Sequence, residues 1–235
     1  MNDTVLIPPA RSTVAVATAT VPVLEISLGS IPQGFVLVLC DRGGLDRDAD
    51  VVMNLLAEHG YESLAVEAGP ARVRPELLVE CAAERGWADE QIGMVGLGSG
   101  GRAVLSAAAE FRFGAAVSMS PTVDPDTGSP ASLADFEGAM RTPWLGLFGA
   151  VDPDVAIADV DALANRLRTG SEVFTHTVIY PGVGRDFYRG GSTGLGYAAS
   201  YDGWQRTIEW LVARVAPRLT PRAERWSRRR TALSA

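Results

Sequence analysis

A chain of 235 residues that is 47% hydrophobic and 21% charged has the size and composition of one soluble α/β domain with a full core. Its formal net charge of −7 argues against a general nucleic-acid binder. All 21 basic residues are arginine, so no lysine is available for Schiff-base chemistry.

Residues 1–11 read as a loose lead-in. They lack a basic signal-peptide start and contain Pro8-Pro9. Thr13–Thr18 and Val21–Ser27 are β-rich and predict an antiparallel opening. Phe35–Cys40 is a continuous apolar run, as a strand covered on both faces requires. Asp46–His59 has helical spacing and stops at Gly60. Ser63–Glu67 predicts a strand, Pro75–Arg85 a helix and Met94–Leu97 a buried strand, followed by a helix over Arg102–Ala109. Gly114–Met119 is the next strand. The stretch 121–140 reads as loop with one short helix. Trp144–Gly149 is a strand, Val155–Leu167 a helix and Phe174–Tyr180 a strand. A last helix, Tyr197–Val215, is expected to bury Tyr201, Trp204, Ile208 and Leu211. Strands alternating with helices predict a mostly parallel, doubly wound sheet with helices on both faces.

The two cysteines, Cys40 and Cys81, supply no disulfide framework, which favours a cytoplasmic location. Together with His59 and His176 they share no metal-ligand spacing. No metal or cofactor is expected, and no apolar run reaches membrane-spanning length. His176 is expected to be a packed histidine. Residues 218–235 carry six Arg and one Glu, a charge of +5. Such a tail is a solvated end or, with Trp226 inside it, a contact for a partner.

The chain turns on Gly96-Leu97-Gly98-Ser99-Gly100-Gly101. A buried strand that enters a helix through glycines is the setting of a nucleophile elbow, G-x-S-x-G or G-x-C-x-G. The nucleophile slot here holds Gly98. Ser99 is one place late, with its side chain expected to point away from the elbow tip. Gly96, Gly98 and Gly101 also satisfy G-x-G-x-x-G. A nucleotide-binding module is therefore a third reading, weakened because the next strand ends in Ser118-Met119-Ser120 without an acid.

Several further motifs fall in order: Cys40-Asp41-Arg42-Gly43-Gly44-Leu45, Gly60-Tyr61, Gly149-Ala150-Val151-Asp152, Tyr180-Pro181-Gly182-Val183-Gly184-Arg185-Asp186-Phe187 and Gly196–Ser200. With the elbow they resemble the dienelactone hydrolase (carboxymethylenebutenolidase) family of the α/β-hydrolase fold, from about Thr13 to Val215. The resemblance implies one domain over residues 12–217. It places Asp152 at the triad acid, Gly98 at the nucleophile and Arg185 at the histidine. It further implies an acid at Asp41 contacting the nucleophile and a substrate-carboxylate arginine at Arg189. The backbone N–H groups of Arg42 and Ser99 would form the oxyanion hole. Cys40 could border the pocket. Arg72 and Arg74 are candidates for a second substrate arginine.

A triad needs a base to activate its nucleophile. Arginine stays protonated and cannot be that base. The first reading is therefore a pseudoenzyme that binds a small carboxylate or a protein partner, as monomer or homodimer. The second is an ester or lactone hydrolase that avoids a Gly98 nucleophile, through a non-standard nucleophile or through activated water, one route being water activated by Asp152 or Asp41. Arg185 is expected to pair with Asp152, in place of a histidine.

Overall fold

The computed structural model describes residues 6–16, 19–68, 75–122, 133, 136–191, 193–220 and 222–223. Its opening strands, β1 (Ala10–Val16) and β2 (Ala19–Ile26), pair antiparallel, as their β-rich composition predicts. β2 then lies antiparallel to β4 (Tyr61–Glu67). From there the sheet is parallel through β3 (Gly34–Cys40), β5 (Ile92–Leu97), β6 (Ala115–Met119), β7 (Trp144–Gly149) and β8 (Thr175–Tyr180). The strand order is β1-β2-β4-β3-β5-β6-β7-β8. This is the α/β-hydrolase fold.

Among the described residues six helices cover the sheet: α1 (Gly44–Arg47), α2 (Ala49–Glu58), α3 (Pro75–Glu84), α4 (Ser99–Glu110), α5 (Ile157–Gly170) and α6 (Gly194–Arg214). On one face, Val52, Met53 and Leu56 of α2 and Ile208 and Leu211 of α6 pack with Val36, Val38 and Cys40. On the other, Leu78 of α3, Leu105 of α4 and Leu163 of α5 pack with Phe35, Leu37 and Leu39. Alternate residues of one strand thus feed two cores, which is why β3 carries no polar residue.

The topology brings two chain ends together. From β3 the chain crosses to β4 on one side, and later returns to β5 on the other. That reversal opens a crevice at the carboxyl ends of β3 and β5. Asp41 leaves the first of these strands and Gly98 the second.

Several expectations need correction. The helix expected over Asp46–His59 breaks at Asp48, whose backbone (φ −118°, ψ −26°) departs from helical values. The final helix starts at Gly194, earlier than expected, because Thr193 caps it by accepting the Gly196 N–H at 3.1 Å. In that helix Tyr201 is exposed and Trp204 half-buried, whereas Ile208 and Leu211 are core. His176 is also exposed, since β8 is an edge strand, and it stacks on Phe174. Most of the 121–140 stretch, Arg72, Arg74 and most of the arginine-rich tail, Trp226 included, lie outside the described residues. No helix among the described residues is long and apolar enough to cross a membrane.

A buried relay fastens α4 to the sheet. Trp144 Nε1 donates to Ser118 Oγ at 2.9 Å, and Ser118 Oγ donates to the Gly101 carbonyl at 2.8 Å. Ser118 is fully buried. Ser118→Ala leaves the indole N–H without an acceptor and should cost about 2 kcal/mol in urea unfolding. In a Trp144→Phe background, which lacks the indole donor, the same Ser118→Ala change should cost less, as a double-mutant cycle would read.

Candidate active site

Gly98 stands at the tip of the strand-to-helix turn with φ +56° and ψ −120°, a conformation that side chains rarely adopt. Its N–H donates to the Met119 carbonyl at 3.0 Å. Its own carbonyl accepts from the N–H groups of Arg102 and Thr122, both at 3.2 Å. The turn is therefore held from three directions. Gly100 is required for a different reason: a Cβ there would fall 1.9 Å from the Leu39 carbonyl oxygen. That glycine lets α4 start hard against the end of β3.

The side-chain space above Gly98 belongs to Asp41. A Cβ on Gly98 would lie 2.8 Å from Asp41 Oδ2 and 2.9 Å from its Cγ. Ser99 Oγ donates to Asp41 Oδ1 at 2.6 Å. The serine was expected to point away, and instead it turns to the carboxylate. A helix N-terminus favours a negative charge, and here the chain supplies its own. Arg42 and Ser99, expected to line an oxyanion hole, belong to the two turns that Asp41 joins. The same geometry bears on the G-x-G-x-x-G match. Gly96 admits the Gly100 carbonyl and Gly101 the Met119 carbonyl, while the Asp41 carboxylate lies against Gly98 and puts a negative charge beside the helix N-terminus that a pyrophosphate would need.

Arg189 is not held open for a ligand. Its Nε and Nη2 grip both oxygens of Asp48, each at 3.0 Å. Its Nη1 bonds Asp186. Arg47 closes on the other side of Asp48 at 3.1 Å. Asp48 is buried. Burial pushes its carboxyl up, but the hydrogen bonds from Arg189 and Arg47 outweigh that and hold it below the ordinary value. Sequence reasoning missed Asp48, because it sits inside a helical pattern and no motif marks it. Tyr188 was missed likewise. Its ring packs under Arg189, and burial pushes its hydroxyl well above the ordinary value, so it stays neutral.

Arg185 opens a 3₁₀ turn, Arg185–Arg189, after β8. It pairs with Asp154 and not with Asp152, against expectation. Asp152 is instead turned back on its own loop, where Oδ1 accepts the Asp154 N–H at 2.9 Å. The two-residue offset follows from that turn: Asp152 caps the loop and Asp154 projects to the guanidinium. Burial raises the carboxyl of Asp152, and the charges of Asp154 and Asp186 push the same way. Cys40 is fully buried, and burial lifts its thiol to about 12, so it is a core residue and does not border a pocket as an active thiol. Among the described residues no cluster of His, Cys, Asp or Glu could hold a metal ion.

The site thus consists of three local ionic groups at the carboxyl edge of one α/β sheet: Asp41 with Ser99, Asp48 with its arginines, and Asp152 with Asp154 and Arg185. A strand-to-helix elbow at a topological switch point, with acidic loops after later strands, is the architecture of α/β-hydrolases. Residues 66–214 match the dienelactone hydrolase family, and the chain belongs to that family. It is 30% identical over 89 residues to a protein of Salmonella typhimurium named "Putative carboxymethylenebutenolidase", covering 38% of this chain and 33% of the relative. A protein of the same name from Escherichia coli K12 is 29% identical over 90 residues. The chain spans about a third of the length of these curated relatives. Among solved structures, a dienelactone hydrolase-type protein of Klebsiella pneumoniae superposes with TM-score 0.70 at 20% identity, covering 88% of this chain and 98% of that one. A dienelactone hydrolase-like promiscuous phosphotriesterase from metagenomic libraries gives 0.66 at 17%, covering 89% and 98%.

The Asp48 geometry predicts an acid response. Its carboxyl lies below the ordinary aspartate value of about 4, so its contribution is complete above roughly pH 5 and fades as pH falls toward the folded value. Asp152 is raised, so acid relieves its burial and works the other way. Asp48→Asn should cost about 2 kcal/mol at pH 7, the scale of a lost charged hydrogen bond, because Arg189 and Arg47 lose this counter-charge. Between pH 7 and pH 3.5 the variant should lose less stability in urea unfolding than the wild type. Equal losses would show that Asp48 does not govern the acid limb.

Proposed function

We propose that this dienelactone hydrolase-family protein does not cleave esters or lactones through a covalent intermediate and acts as a binding protein. One observation carries the reading: the Asp41 carboxylate fills the space where an elbow nucleophile projects, above a glycine that has no side chain. Arg185 supports it. A guanidinium cannot take a proton from a nucleophile, and this one faces Asp154. The small carboxylate ligand suggested by the resemblance meets competition. Asp41, Asp48, Asp186 and Asp154 already sit on the helix N-terminus and on the two arginines. An external anion must displace one of them.

A second reading keeps hydrolysis without a covalent step. Burial raises Asp152, and a carboxylate raised in this way is a better base toward water at neutral pH. The test is the hydrolysis of p-nitrophenyl acetate, p-nitrophenyl butyrate and a five-membered enol lactone by the full chain. Rates equal to buffer, unchanged in Asp152→Ala, are expected. Turnover that Asp152→Ala abolishes would overturn the binding-protein reading in favour of activated water. Turnover that only Asp41→Ala or Ser99→Ala abolishes would point to the elbow itself.

A further inference from the structure

A cleft of about 590 Å³ lies between α2 and α6 and shares Arg47, Asp48 and Arg189 with the carboxyl edge of the sheet. Gly98, Ser99, Asp41, Asp152 and Arg185 do not line it. Its walls are Val51, Val52 and Leu55 on one side and Tyr197, Tyr201 and Trp204 on the other, with Tyr188 at the back. A volume of a few hundred Å³ with apolar and aromatic walls is the usual form of a small-molecule site.

Three features decide what it could hold. The first is aromatic surface left open on facing helices. Val51, Tyr197 and Tyr201 are 69%, 67% and 60% exposed, and the two tyrosine rings stack at 6.4 Å. The second is a rigid back wall. The Tyr188 carbonyl accepts from Trp204 Nε1 at 2.9 Å and from Ser200 Oγ at 3.1 Å, which pins the turn before α6 to the helix itself. The third is charge. The charged groups that line the cleft, Arg47, Asp48 and Arg189, are joined in one ion-paired ladder, with Asp48 gripped from both sides. Arg189 also bonds Asp186. Arg189 commits Nε, Nη1 and Nη2 to Asp48 and Asp186, and Arg47 turns Nε and Nη2 onto Asp48, so most of the positive charge at the cleft is already neutralised from within. The hydroxyls of Tyr197 and Tyr201 and the Gln205 amide remain as uncharged polar groups beside the apolar walls.

The geometry points to a binding site for a neutral, ring-bearing small molecule in the α2–α6 cleft, stacked on Tyr197, Tyr201 and Trp204. Its apolar body lies against Val51 and Leu55, and a hydroxyl or carbonyl substituent meets the tyrosine and glutamine groups. This site does not depend on whether the elbow turns over esters.

The probe is N-phenyl-1-naphthylamine, a neutral aromatic amine that fluoresces on leaving water. Titration into the full chain should give saturable one-site binding. Val51→Glu and Tyr201→Ala alter exposed side chains, so the melting temperature should hold while each weakens binding about tenfold, the scale of losing one aromatic or aliphatic wall. The sulfonated analogue 1-anilinonaphthalene-8-sulfonate should bind no more tightly than the neutral probe. Three results would overturn the assignment: no saturable binding, unchanged affinity in both folded variants, or tighter binding of the sulfonate. So would light scattering that shows a dimer which Val51→Glu converts to monomer, because the cleft would then belong to a second copy of the chain.

Discussion

The hydrogen bond from Ser99 Oγ to Asp41 joins the end of β3 to the start of α4 at the point where the sheet reverses its winding. Everything at the carboxyl edge is arranged around that link. Leu39 and Gly100 approach so closely that no side chain fits between strand and helix. The residue after β3 must therefore reach upward over the elbow, and its carboxylate arrives above Gly98. A negative charge at that position suits the first turn of α4 and needs no cation from elsewhere.

The arginines of the following loops are consequently available to other acids. Asp48 draws Arg189 and Arg47 toward α2 and breaks that helix from the short one before it. Asp154 takes Arg185. Arg47, Arg185 and Arg189 are each neutralised by a partner from another element or from the same turn. These pairs bridge the loops after β3, β7 and β8. A buried pair of this kind contributes little net stability while intact and costs much when half of it is removed. It serves to fix loop positions more than to strengthen the fold.

The fold was legible because its signals are local and repeated. β3 reads as one apolar run since both faces are covered, and the glycines at 96, 98, 100 and 101 mark the strand-to-helix turn directly. The site was legible only at its anchor points. Asp41, Gly98 and Arg185 lie just past the ends of β3, β5 and β8, but the partners of each were not readable. Ser99 turned toward Asp41 because the carboxylate was close, a distance no spacing rule encodes. Arg185 chose Asp154 because the Asp152 side chain is used by its own loop turn. Asp48 and Tyr188 carry no motif; Asp48 meets Arg189 across 141 residues of chain, and Tyr188 takes its role from packing beneath that same arginine. The exposed Tyr201 shows the same limit: helical periodicity gives a face, but not how far the neighbouring helix covers it.

The position of Asp41 also bears on how such a site could change over generations. A serine or cysteine arising at 98 would need its Cβ within 3.2 Å of three Asp41 atoms, in a backbone conformation that already disfavours side chains. A histidine arising at 185 would leave Asp154 without its arginine. Each change carries a structural cost when made alone. A side chain at 98 therefore requires the Asp41 carboxylate to move at the same time, and the two positions are coupled through space rather than through the chain.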